Sequence, residues 1–128
     1  MSYYFNITLV LAFDEAVDRV KAELKKDDFG VLTEIDVRKT LKEKIGVDFR
    51  PYRILGACNA SYAYRALQAE DKIGTMLPCS VIVQELEPGK VEVAAIDPLA
   101  SLAAVKNEDL AAVGLEVREK LRAVVERL

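Results

Sequence analysis

The chain has 128 residues, 52% of them hydrophobic and 30% charged, which is the composition of one globular domain able to bury its own core. A net charge of −3 and an isoelectric point near 5.1 argue against a general nucleic-acid binder, which would be basic over a whole face. Histidine is absent, which removes Ser-His and Cys-His catalytic pairs and His-ligated metals together.

The opening "MSYYFNITLVLAFDEAV" has an apolar run with no basic residue ahead of it, so no secretory signal is expected. No stretch reaches the roughly 18 uninterrupted apolar residues of a membrane span. Two cysteines without a signal point to a reducing cytoplasm.

In chain order, Tyr3, Phe5, Ile7 and Leu9 alternate with Tyr4, Asn6, Thr8 and Val10, which predicts a strand over 3–11. Asp14 is placed to cap a helix whose stripe is Ala16, Val17, Val20 and Leu24, with Lys25 and Lys26 at its negative end. Gly30 opens a second strand. In it Val31, Thr33, Ile35 and Val37 share one face, and Leu32, Glu34 and Asp36 the other. Asp36 also suits the cap of a short basic helix, with Leu41 and Ile45 on its inner side and Gly46 as its stop.

Pro51 precedes a third strand, "YRILGAC", and a short helix follows around Ser61 to Gln68. "LPCSVIVQEL" and "KVEVAAID" flank "EPG", a hairpin signal. Asn107 caps a last helix with the stripe Leu110, Val113, Val117, Leu121, Val124 and Leu128. The order β-α-β-α-β-α-β-β-α, with at least one antiparallel pair and partly polar strand faces, predicts a single α+β domain over 1–128 with helices on one side of the sheet.

Chemistry could reside first at the thiols. Cys58 ends a strand just ahead of a helix capped by Asn59 or Ser61, a position where a thiolate is stabilised by free N–H groups. Cys79 begins a strand after Pro78, and if the two strands are neighbours both sulfurs reach one end of the sheet. The competing reading is packing, since free cysteine behaves as a small buried hydrophobe and no C-x-x-C spacing is present. Glu34 and Asp36 fall about 7 Å apart on one side of a strand, a spacing that suits a cation or an acid–base pair as well as a solvated face. Asp97 ahead of Pro98 reads as a turn residue.

The basic cluster Arg38, Lys39, Lys42, Lys44, Arg50 and Arg53 would suit a phosphate or an acidic partner, or simply water. It lacks the interleaved aromatics of a single-strand binder, so nucleic acid is not expected as a partner. Neither G-x-G-x-x-G nor a P-loop occurs.

Three segments, "FGVLTEIDVRKTLKEKIG", "YRILGACNASYAYRALQAEDKIGTMLPCSVIVQE" and "VEVAAIDP", resemble in order and spacing a bacterial and archaeal family known as domain of unknown function 302. The resemblance implies a compact α+β fold similar to the TATA-binding-protein arrangement, a curved antiparallel sheet backed by helices, and it implies no activity. The matching residues are Glu34, Asp36, Lys42, Cys58, Asn59, Pro78, Cys79 and Asp97. Ala60 and Ser80 depart from the family pattern, which has proline and asparagine there, so one rigid helix start and one amide are missing.

These readings converge on a non-enzymatic module that binds a small ligand or a partner at the Cys58/Asn59 and Cys79/Ser80 junctions, with Glu34 and Asp36 as polar neighbours. No cofactor is indicated. A homodimer is expected, because an antiparallel sheet with one open face often buries it against its own copy. Two rivals are a thiol enzyme using Cys58 and a weak metal-binding module using both thiolates and a carboxylate.

Overall fold

Strands form where apolar residues alternate, and their pairing sorts the side chains into two faces. The structure, a computed structural model, describes residues 2–128. Its strands are β1 (Tyr4–Leu9), β2 (Gly30–Asp36), β3 (Tyr52–Cys58), β4 (Cys79–Glu87) and β5 (Lys90–Ile96). They build one sheet in the order β1-β5-β4-β3-β2, antiparallel throughout. Register stacks Leu55, Val81, Ala95 and Phe5 in one row of the inner face, with Arg53, Val83, Val93 and Ile7 in the next.

Helices α1 (Phe13–Lys26) and α5 (Glu108–Arg127) cover this face. They bury Ala16, Val17, Val20 and Leu24 from one, and Leu110, Val113, Val117, Leu121, Val124 and Val125 from the other. Each fully buried aliphatic side chain contributes about 1.5–3 kcal/mol relative to leaving it in water. The predicted stripe of the last helix is therefore the main wall of the core. Asn107 caps it as expected, its Oδ1 accepting from the N–H groups of Asp109 and Leu110.

The remaining helices are α2 (Val37–Ile45), α3 (Ala60–Ala69), a 3-10 turn (Asp71–Met76) and α4 (Pro98–Leu102). The predicted α+β order stands, with the 3-10 turn and α4 added. Among the described residues no helix is long and apolar enough to cross a membrane.

Four local expectations are corrected. α1 starts one residue before Asp14 and has Ala12 as its uncapped N-cap; Asp14 and Glu15 act instead as first-turn carboxylates at the positive end of the helix. A bulge between Val31 and Thr33 breaks the alternation in β2. Val31 consequently lies opposite Ala57 on the inner side, Thr33 and Ile35 take the open side, and Leu32 is 68% exposed. α2 buries none of its residues, and Ile45, predicted on its inner side, is 68% exposed, because the helix packs only lightly on β2 and β3. Asp97 is more than a turn residue, for it caps α4.

Candidate functional site

β3 ends and β4 begins at the same rim of the sheet, with Ala57 directly opposite Cys79. Between them the chain makes α3 and the 3-10 turn and comes back through Leu77 and Pro78. This loop of structure does not close down fully on the sheet. A cavity of about 60 Å³ remains, and Cys58, Asn59, Met76, Pro78 and Cys79 lie on its wall. Its floor includes the buried Ile73 and Leu110, and α4 and α5 close it from the side through Leu102 and Gly114. No carboxylate, ammonium or guanidinium lines it.

Gly56 shows why the rim is shaped this way. A Cβ built there would run into Thr33 Oγ1 and would meet Pro78 Cγ at 2.7 Å, so side chains from both flanking segments rest on its bare backbone. The close approach at Gly56 is thus made by neighbouring side chains.

Burial pushes the Cys79 thiol up to about 11 from the ordinary 9.0, with the charge of Cys58 adding in the same direction. Cys79 is therefore a protonated thiol at neutral pH. Asn59 holds the corner together, its Oδ1 accepting from Tyr62 N at 3.5 Å and its Nδ2 donating to the Asp27 carbonyl at 3.4 Å. That amide ties the start of α3 to the end of α1. Ser80, one residue beyond Cys79, sits on the open side opposite Gly56 and lines an outer cleft with Met76, Pro78, Cys79 and Ser101. Cavity and cleft share four of these residues, so they adjoin through Met76 and Cys79.

The other sequence-selected residues lie elsewhere. Gly30 pairs with Cys58 while Asp36 pairs with Arg53, which sets Asp36 about 20 Å along β2 from the thiol rim. Glu34 accepts from Lys21 Nζ at 2.6 Å and from Arg53 Nη1, and its carboxyl is held below the ordinary 4.5, chiefly by the Lys21 hydrogen bond. Asp36 caps α2 by accepting from Lys39 N at 3.0 Å. Lys42 pairs with Asp48 at 3.1 Å, both exposed. Of the basic cluster, Arg53 is drawn away, forming ion pairs with Glu34 and Asp36. Glu34 and Asp36 are thus not neighbours of the thiol junctions. Asp97 lies outside the cavity too: its carboxylate accepts from Leu99 N at 3.0 Å and pairs with Arg118 Nε at 3.1 Å.

Among the described residues no cluster of three or more His, Cys, Asp or Glu side chains has metal-binding spacing. The cavity that holds both thiols has no carboxylate on its wall, so the structure does not assemble a site of two thiolates and a carboxylate there. Sequence reading missed Met76 and the α4–α5 wall. Met76 carried one usable signal, a third sulfur three residues before Cys79.

No curated protein matches the chain. A solved structure described as an uncharacterized conserved protein DUF302 from Bacillus stearothermophilus is similar over 99% of this chain and 98% of that one, at 27% identity and a TM-score of 0.90. The sequence profile of the family described as domain of unknown function DUF302 matches residues 5–128. Nearly every residue of the sheet, the thiol rim and its helical cover falls within that match, and the chain belongs to the DUF302 family.

Proposed function

We propose that the protein is a binding module that receives a small ligand at the thiol-lined cavity. One observation carries the reading: Cys58, Asn59, Pro78 and Cys79, remote in sequence, line a single apolar space with an open cleft beside it. Close-packed interiors leave few such voids. At about 60 Å³ the space is smaller than a benzene-sized cavity of roughly 150 Å³, so the ligand is a few atoms in size or inserts only one end. The protonated Cys79 favours binding over nucleophilic chemistry at that sulfur.

Native mass spectrometry of gently purified protein tests this. A retained mass is expected in the native chain and is lost in Ala66→Leu, which fills the cavity from α3. The same retained mass in both proteins, or none in either, would remove the reading.

A homodimer through the open face of the sheet accompanies this proposal. Ile35, Ile54, Ile82 and Ala94 stand side by side across four strands there, an apolar row that a second copy would cover by two-fold symmetry. Sedimentation at micromolar concentration should report a dimer, and Ile54→Glu a monomer. A monomeric native chain would end the dimer proposal and leave the cavity reading intact.

A further inference from the structure

We propose that the ligand of the cavity is a monovalent soft metal ion, copper(I), held by Cys58, Cys79 and Met76. This rests on the binding-module reading above and supplies its ligand class.

The chain has four sulfur-bearing residues, two cysteines and two methionines, and three of the four line this one cavity. Thiolate and thioether ligands select copper(I), whereas zinc wants four donors and magnesium or calcium want oxygens. The cavity wall has no carboxylate and the chain no histidine, so its oxygen donors are the neutral Asn59, Tyr62 and Ser101 and its only soft donors are the three sulfurs. A volume of about 60 Å³ suits one ion between side chains better than an organic molecule. Met76 is 39% exposed and lines both the cavity and the outer cleft, which gives the ion a way in from solvent.

Binding replaces two S–H bonds by two Cu–S bonds, and two protons leave to water. The metal stays copper(I) throughout, so no oxidant or reductant is needed. The resulting bis-thiolate carries one negative charge. It lies at the start of α3, the positive end of that helix's dipole. The titratable groups on the cavity wall are Cys58, Cys79 and Tyr62. Burial and mutual repulsion oppose ionisation of the Cys79 thiol, and a cation between the sulfurs reverses the second of these.

The test uses the full chain, reduced and kept under argon, titrated against copper(I) held by the coloured chelator bathocuproine disulfonate. One copper(I) per chain should leave the chelator, with a thiolate-to-copper band growing in the ultraviolet. Cys58→Ala and Cys79→Ala should each weaken uptake by more than the about 10- to 100-fold that losing an outer-shell partner costs a metal site. Met76→Leu, which conserves volume, should weaken it less, and circular dichroism should show all three variants folded. Affinity should climb as pH rises, since binding releases protons.

No withdrawal of copper(I) overturns the proposal, as does withdrawal indifferent to both cysteine substitutions. If copper(I) is refused while native protein still carries an organic mass that Ala66→Leu loses, the metal is wrong and the module survives. If both measurements are blank, both fall.

Discussion

At one end of β3, Cys58 and Cys79, the latter opposite Ala57, sit among Ile73, Leu77 and Pro78, with no charged side chain on the wall of the space they share. At the other end, Arg53 lies between Glu34 and Asp36 with Lys21 joining the group, half open to water. The same strand therefore carries an apolar, imperfectly filled end and a polar, fully paired one. The difference separates residues that resemble a site from residues that make room for something. Paired charges near water answer one another, whereas an unfilled apolar space leaves its lining short of contacts.

The two ends should differ first in what a substitution costs. Ile73→Ala enlarges the existing void and should lower stability by about 2–5 kcal/mol in denaturant unfolding. A cost below about 1 kcal/mol would mean that the cover collapses onto the space. Alkaline pH should come next. The folded-state value of Cys79 is raised, so its contribution is whole below the ordinary 9.0 and is lost as pH rises to about 11. That difference between the folded and ordinary values corresponds to about 3 kcal/mol, and Cys79→Ala should flatten that part of the stability profile relative to the native chain.

Gly56→Ala should follow, at about 1–3 kcal/mol, because the added methyl runs into Thr33 and Pro78 together. The charged end gives the smallest effect. Glu34→Gln should cost under about 1 kcal/mol, since its ion pairs are partly exposed. Its lowered carboxyl makes that small contribution present above pH 4.5 and lost as pH falls through the lowered value. A larger loss in Glu34→Gln than in Gly56→Ala would invert the comparison.

Much of the architecture was legible because its signals are local. Asp36, Asn59 and Asn107 cap the helices they precede, and Gly46 ends α2 in the left-handed conformation at φ 70°. The stripe of α5 is a property of one helix and could be read along the chain. The bulge in β2 could not, since it is defined by what β3 places opposite. Nor could the exposure of Ile45, because periodicity names a face without saying what covers it. α4 carried a missed signal, a proline at its first position behind a capping aspartate.

Of the candidate site, the adjacency of the two cysteines followed from strands three and four being neighbours. Glu34 and Asp36 were grouped with them because separation along a strand is invisible until the register is known. The wall supplied by α4 and α5 is distant in sequence from both cysteines and had no signature near the thiols.

Asn107 does more than begin a helix. Besides accepting from two N–H groups of α5, its Nδ2 donates to the Ala69 carbonyl at the last turn of α3 at 2.9 Å. One amide therefore pins together the two helices that roof and flank the thiol chamber. Separating them at that corner breaks the bond to Ala69, while the two to α5 stay with the cap. The roof is thus tied down at the Asn107 corner, and Met76 and Ser101, which line both the cavity and the outer cleft, mark the side on which the chamber meets solvent.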